Sequence, residues 1–439
     1  MNSRNVARKV IQRVLSEGAY SNIVLSNELN DSDLSDQDKS LVTEIVYGTL
    51  RRKKTIDVII ANFVRDMTQM DEEIVNILRV AIYQMHFLDK VPGYAAVNEA
   101  VEEAKTISLD GSKLVNGILR SYLKNEKEIA VRGNRIDELA YKYSLQPWMI
   151  RLLIKQYGEE KTIQIMDGLN ATPKVTVRIN GIKGEYDDIY EKLEEAGYEI
   201  EEGYVCPEAI SIKGGRGIEV NPLFIEGLIT VQDESAMVVA PLLDLEEEET
   251  VLDLCAAPGG KTTHIAELLE NSGEVLAFDL HENKLSLIEQ NVDRLGITNV
   301  KTEEMDACKL DTRFISHADK ILIDVPCSGL GIIRKKPEIK WNKTRQQLKD
   351  LVPIQREIME NAWQYLKPGG TLVYSTCTLN KEENEDNIKW FLSKYSDAKA
   401  QKIFLGKKDN FIYNQDGSLT IIPNEYMDGF YVAKIKKSY

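Results

Sequence analysis

The stretch that decides the fold is VLDLCAAPGGKTT, residues 251–263. A short apolar run enters a turn of small residues with two glycines, and a helix-forming run starts at Lys261. A glycine-rich turn between a parallel strand and a helix lets a ligand approach the backbone at the strand's carboxyl end. A phosphate-wrapping loop needs G-x-x-x-x-G-K-[ST]. Gly260, Lys261 and Thr262 supply its end, but its first glycine position is Cys255. The dinucleotide pattern G-x-G-x-x-G is absent as well. What remains is a nucleoside-bearing ligand without a long phosphate chain.

Working outward, further apolar runs occupy 275–280 (VLAFDL), 321–325 (ILIDV) and 371–377 (TLVYSTC), with helical stretches over 261–271, 282–295, 344–366 and 381–395. Strands alternating with helices predict a mostly parallel, doubly wound sheet. The runs at 419–422 and 429–435 predict a closing hairpin. Asp279 ends the second strand, where an acid accepts hydrogen bonds from ribose hydroxyls. Asp306 follows the third strand, where it can meet an adenine amino group. S-adenosylmethionine, with adenine, ribose, a sulfonium and no phosphates, fits this set; the plain alternative for each aspartate alone is a helix cap.

The next two strands each run into a cysteine, in DVPCSG (324–329) and STCT (375–378). Adjacent strand ends line one crevice, so Cys327 and Cys377 are expected to face the cofactor. A soft nucleophile adding at carbon 6 of a pyrimidine turns carbon 5 into an enamine-like centre able to attack a sulfonium methyl. The carbon-5 proton must then leave and the thiol be expelled. That chemistry needs a covalent nucleophile, a proton acceptor and a partner for ring N3 or the exocyclic amine. Two thiols and Asp324 cover these roles, with Asp324 protonated or paired with a protonated N3. Which thiol attacks is open at this level.

Apolar residues recur at helical spacing in Val6, Val10, Ile11, Val14 and Leu15, and again in Ile74, Ile77, Leu78, Ala81, Ile82 and Met85. Residues 1–130 are therefore expected to form an all-α domain of five to seven helices. Residues 131–230 predict a small α+β domain: a helix over 137–157, a strand at 174–180, a helix over 187–196, short strands near 199–204 and 209–212, and a loop at 214–217. Residues 231–439 form the α/β part.

The 439 residues carry 55 Lys+Arg against 70 Asp+Glu, a net charge of −15. That argues against a general nucleic-acid binder, since phosphate binding runs on cationic side chains. The basic charge is local: 334–349 holds Arg334, Lys335, Lys336, Lys340, Lys343, Arg345 and Lys349 against Glu338, a net +6 in 16 residues. Trp341 inside it offers a stacking surface. The stretch follows the Cys327 loop and is expected to rim the site, where a base extruded from folded RNA would enter. The plain alternative for this stretch is a solvated helix start with Trp341 buried; Arg51 to Lys54 is a second basic run, whose plain alternative is an ordinary solvated helix face. The five cysteines include no C-x-x-C pair and the four histidines do not cluster, so neither a disulfide framework nor a metal site is expected. No apolar run approaches membrane-helix length, and the amphipathic, charged start is no signal peptide. A cytoplasmic monomer is expected.

The pieces 253–263, Asp279, Asp306, 324–341, 366–385 and 428–435 resemble, in order, the RNA cytosine-5 methyltransferases. ARKVIQRVLSEGAYSNIVL (7–25), LSDQDKSLVTEIVYGTLRRKKTID (34–57), VPGYAAVNEAVEEAK (91–105) and KLVNGILR (113–120) resemble the NusB-like helical RNA-binding domain. VTVRIN (175–180) and VQDESAM (231–237) match a ferredoxin-like, RNA-recognition-like domain more weakly. The fusion resembles that of the bacterial 16S rRNA cytosine-5 methyltransferases. The resemblance implies a multidomain chain: an all-α domain, a small α+β domain and a Rossmann-like class I methyltransferase. It assigns the cofactor to Cys255, Ala256, Ala257, Pro258, Gly259, Gly260, Lys261, Asp279, Asp306 and Asp324. It makes Cys377 the nucleophile, Cys327 the group that assists product release, and Asp324 the stabiliser of the base. In the DNA enzymes the P-C thiol attacks instead. The implied substrate is cytosine 967 of 16S rRNA, naked or in early small-subunit assembly, with Arg334, Lys335, Lys336, Lys340, Trp341, Arg51 and Arg52 as RNA contacts. The rival readings are the same chemistry on another rRNA or tRNA cytosine, a non-catalytic RNA-binding factor, and a P-loop-like ATPase.

Overall fold

The computed structural model describes every residue except Met1, Lys90, Gly215 and Arg216. It divides into two units, Met1–Thr162 with Ile333–Lys343, and Ile163–Ile332 with Thr344–Tyr439.

The first unit is helical: α1 (Ser3–Ser16), α2 (Ser21–Asn30), α3 (Asp36–Ala61), α4 (Glu72–Phe87), α5 (Gly93–Lys105), α6 (Leu109–Asn125), α7 (Arg135–Tyr143) and α8 (Pro147–Tyr157). Side-chain caps start several of them. Asn2 accepts from the backbone of Arg4 and Asn5, Ser35 from Asp38 and Ser108 from Gly111. The predicted stripe on α1 (Val6, Val10, Ile11, Val14) is fully buried against Val42, Ile45, Val46 and Leu50 of α3. A second core joins Ile74, Ile77, Leu78 and Ile82 of α4 to α5 and α6.

Two expectations change here. The single helix expected over 137–157 is broken at Ser144 (φ +50°), and Pro147 opens the next helix, where its missing N–H costs nothing. These helices belong with the first unit. The Ser144 hydroxyl accepts from Lys54 N at 2.9 Å, and Thr55 Oγ1 donates to Tyr141 O at 2.6 Å. The compact division into two units falls after residue 162.

The second correction concerns the basic stretch. Residues 333–343 are part of the helical unit. Trp341 packs on the α1–α3 core and donates from Nε1 to Leu50 O at 2.8 Å. Lys340 is fully buried and donates to Arg51 O at 3.1 Å. Burial, then the charges of Arg52 and Arg51, push its pKa well below the ordinary lysine value. Glu338 accepts from Ser21 N and Oγ at 3.2 and 2.8 Å, and Arg334 is also buried. Trp341 is half-buried, with the Lys53 ammonium 4.9 Å from its ring centre, and the buried Lys340 amine offers no phosphate contact. Lys335 is half-buried, and Lys336 is exposed with its ammonium 5.9 Å from the Tyr20 ring. Arg51 and Arg52 are half-buried on α3, with Arg52 over the Phe87 ring at 5.5 Å.

The second unit begins within α9 (Glu159–Asn170). Its small sheet contains β1 (Val175–Ile179), β2 (Glu199–Glu202), β3 (Ala209–Gly214) and β4 (Ile229–Val231), antiparallel in the order β2-β3-β1-β4. Helix α10 (Tyr186–Glu195) buries Ile189 and Leu193 on Val177, Ile210 and Ile229. This is the expected α+β unit, with β4 as a strand the sequence pattern did not show. Gly215 and Arg216 of the expected 214–217 loop lie outside the described residues.

The large sheet has parallel strands β5 (Thr250–Asp253), β6 (Glu274–Asp279), β7 (Val300–Glu304), β8 (Ala318–Asp324) and β9 (Leu366–Thr376). Its edge carries β10 (Ala398–Gln401), β11 (Phe411–Tyr413), β12 (Leu419–Ile421) and β13 (Phe430–Lys437). The order is β11-β12-β13-β9-β8-β5-β6-β7, with β10 on β13. β12 and β13 form the expected hairpin, and β13 pairs antiparallel with β9. Alternation sends Ile321 and Ile323 to one face and Leu322 to the other. Helices α11 (Gly260–Leu268) and α12 (Glu282–Leu295), then α13 (Arg345–Tyr365) and α14 (Glu385–Lys394), complete the α/β pattern. Strand order reverses between β5 and β8, which opens a crevice at their carboxyl ends. No described helix is long and apolar enough to cross a membrane.

A buried cation ties the small sheet to the glycine turn of the large one. Arg178 on β1 is fully buried, pairs with Glu267 of α11 at 2.8 Å, and donates to Gly260 O at 2.9 Å. The small sheet thereby braces the glycine turn.

Candidate active site

Asp253, at the end of β5, lies under the turn and accepts from Thr262 Oγ1 at 2.7 Å. Burial, reinforced by the nearby Asp324 charge, pushes its carboxyl up to about 7. Gly259 sits at φ +98°, and a Cβ there would lie 3.1 Å from Cα of Ile288. Only glycine fits both demands. Ala256 N donates to Phe278 O at 2.8 Å, which fastens the turn to β6.

The turn opens onto a cavity of 270 Å³ lined on the polar side by Asp279, Asp306 and Asp324, and on the apolar side by Leu280, Ile354 and Ile358. Cys255 and Ala257 lie in its wall; Pro258, Gly260 and Lys261 instead line an adjoining 200 Å³ hollow with Gln232. Asp279 accepts from His281 N at 3.2 Å and has Lys284 at 3.6 Å. Asp306 accepts from Cys308 N at 3.1 Å, and Lys309 holds its carboxyl below the usual range. Three carboxylates repel a phosphate chain and suit ribose hydroxyls, an adenine amine and a sulfonium cation. The donor set therefore fits S-adenosylmethionine and not a nucleoside polyphosphate. Cys255 is no nucleophile: burial, then the charges of Asp253, Asp324 and Asp279, hold its pKa well above the ordinary thiol value.

Because Asp324 is registered beside Ser375 on the neighbouring strands, the two cysteine loops start side by side. Cys327 and Cys377 are both half-buried, with sulfurs 3.2 Å apart. The Cys377 sulfur, then burial, pushes the Cys327 thiol well above its usual range. Cys327 is thus held as an S–H able to donate to the Cys377 sulfur. Asp324 accepts from Lys261 Nζ through Oδ2 and from Ser375 Oγ through Oδ1, each at 2.7 Å. Burial alone would lower the Lys261 ammonium, but Asp324 outweighs it and the net shift is upward. Asp324 is therefore an ion-paired acceptor.

The sequence reading missed what lies beneath the thiols. Glu383, fully buried, accepts from the backbone and hydroxyl of Ser328. The helix expected over 381–395 starts late: 381–384 is a turn, and α14 begins at Glu385. The two adjacent acidic residues of NKEENE were the available signal. Gln232 and Arg178 were missed as well, because their connection to the turn is tertiary.

The chain matches the family model described as "16S rRNA methyltransferase RsmB/F" over residues 240–436, the NusB family over 1–124, and the ferredoxin-like domain of the RsmF/B-like methyltransferases over 146–219. It is 37% identical to the "Probable ribosomal RNA small subunit methyltransferase B" of Bacillus subtilis (strain 168), across 99% of this chain and 98% of that one. It is 34% identical to the "Ribosomal RNA small subunit methyltransferase B" of Escherichia coli O1:K1 / APEC, across 99% of both. Among solved structures, NSun6 from Pyrococcus horikoshii with SFG is 25% identical and superposes with a TM-score of 0.59, over 66% of this chain and 97% of that one. Paired thiols beside a phosphate-excluding nucleoside crevice, on a chain aligned end to end with these relatives, have one reading: the chain belongs to the RsmB/F family of S-adenosylmethionine-dependent RNA cytosine-5 methyltransferases.

Proposed function

We propose that the protein methylates carbon 5 of one cytosine in 16S rRNA, cytosine 967, with Cys377 as the nucleophile. The observation that carries this reading is the pair of sulfurs 3.2 Å apart at adjacent strand ends beside the carboxylate crevice. Asp279 and Asp306 hold ribose and adenine, and the turn at 255–260 approaches the amino-acid end. The cofactor supplies an electrophilic methyl group on a sulfonium.

Cys377 adds through its sulfur to carbon 6 of the flipped base, which makes carbon 5 nucleophilic. Asp324, ion-paired with Lys261, accepts a hydrogen bond from a protonated N3 or the exocyclic amine. After methylation a water takes the carbon-5 proton, the electrons of that C–H bond re-form the C5–C6 double bond, and the Cys377 sulfur leaves as a thiolate. Cys327, whose S–H lies against that sulfur, assists the release. The substrate is rRNA, naked or in an assembling small subunit, met in the cytoplasm by a monomer. Lys336, Arg51 and Arg52 remain as candidate RNA contacts on the helical unit.

Cys377→Ala should abolish methyl transfer to unmodified 16S rRNA. Cys327→Ala should instead accumulate a covalent protein–RNA adduct on denaturing gels. An adduct in the Cys377 variant would reverse the two roles. Bisulfite sequencing of 16S rRNA from a strain lacking the gene tests the position: cytosine 967 should lose protection, and loss elsewhere would reassign it.

A further inference from the structure

Glu383 carries a carboxylate in a place that the reaction does not use directly. Each of its oxygens accepts twice: Oε1 from Ser328 Oγ at 2.5 Å and Asn380 Nδ2 at 3.0 Å, Oε2 from Ser328 N at 2.9 Å and Gln355 Nε2 at 3.0 Å. Ser328 directly follows Cys327. Its hydroxyl also meets Thr378 Oγ1 at 2.7 Å, and Thr378 directly follows Cys377. One fully buried side chain therefore fastens the residue after each thiol. Burying a carboxylate is expensive, and a fold that needed only packing here could use an apolar side chain.

We propose that Glu383 is a positioning residue that holds the Cys327 and Cys377 loops at their working separation and orientation for methyl transfer. The proposal rests on the reading of these two cysteines as the reacting thiols. The Glu383 charge also faces Cys327 and adds to the factors that keep its thiol protonated. An amide of the same shape cannot replace it. Both oxygens receive N–H donors, so the NH₂ of a glutamine would face a donor whichever way it turned.

The test is Glu383→Gln in the full chain, with Ser328→Ala as a milder second variant that removes the bridge to Thr378. In Glu383→Gln, kcat on unmodified 16S rRNA should fall more than about tenfold, while KM for S-adenosylmethionine stays within about twofold. Cys327 should react with iodoacetamide about tenfold faster at pH 8.5, because the neighbouring negative charge is gone. Ser328→Ala should lower kcat in the same way but less. Unchanged turnover in both variants overturns the proposal, as does a cofactor affinity that falls in step with turnover. If Glu383→Gln does not fold, Ser328→Ala decides alone on the same criteria. If the wild-type protein leaves 16S rRNA unmodified, the substrate reading fails, and the Cys327 alkylation rate still decides the clamp: no change in Glu383→Gln rejects it.

Discussion

Asp253 shows how much a single buried residue can cost the fold. Its carboxyl titrates near 3.8 when free and at about 7 beneath the glycine turn, chiefly through burial. A folded-state value raised above the unfolded one means that stability is complete below pH 4 and is lost as pH rises through about 7. Three units correspond to about 4 kcal/mol. Asp253→Asn keeps an acceptor for Thr262 and cannot ionise. Its unfolding free energy should match wild type near pH 4 and exceed it by a few kcal/mol at pH 8, read from urea titrations at both values. A constant difference across this range would mean that Asp253 does not titrate in the fold. The cysteines and aspartates of the site were legible one by one because each ends a strand, and strand ends can be read from apolar runs. Glu383 was not legible, because a glutamate among lysines and glutamates reads as solvated surface.

At the scale of elements, local propensity loses twice to side-chain hydrogen bonds. Residues 381–384 were expected to open a helix, yet Thr376 Oγ1 donates to Asn384 Oδ1 and Asn384 Nδ2 donates to Thr378 O, which closes a turn instead. The 137–157 stretch has continuous helical periodicity, yet Ser144 leaves the helix and its hydroxyl binds α3. The turn at 255–260 goes the other way: its glycines, readable from the sequence, are demanded by the backbone. Gly259→Ala forces a side chain into φ +98° against Ile288. It should cost about 1–2 kcal/mol of stability and weaken S-adenosylmethionine binding in calorimetry at least tenfold. Unchanged affinity would show that the turn does not approach the cofactor.

At the scale of the molecule, the chain leaves the catalytic unit at 332, enters the helical unit for eleven residues and returns at 344. No single cut therefore separates the two. Trp341→Ala opens a hole in the helical core and should lower stability by about 2–3 kcal/mol in denaturant titration. Residues 163–439 produced alone would leave Ile339 and Trp341 without their core and should bind the apolar dye ANS strongly. A fragment that stays monomeric, binds no dye and keeps full cofactor affinity would show that 333–343 has a second home. The net charge of −15 also looks different at this scale. The densest basic stretch is spent partly on internal hydrogen bonds, so cation count along the chain overstated the charge open to RNA.

The sequence by itself determined the class of fold and the chemistry: strand–turn–helix spacing, acids at strand ends and two cysteines at neighbouring ones are local patterns, although which of the two thiols attacks is not among them. Only the tertiary structure decided where 334–343 goes, which groups hold the thiols together, and that Arg178 of the small sheet braces the cofactor turn. Those depend on contacts between segments 28 to 317 residues apart, whose partners are set by burial and hydrogen-bond satisfaction in three dimensions. Periodicity along one chain carries no record of them.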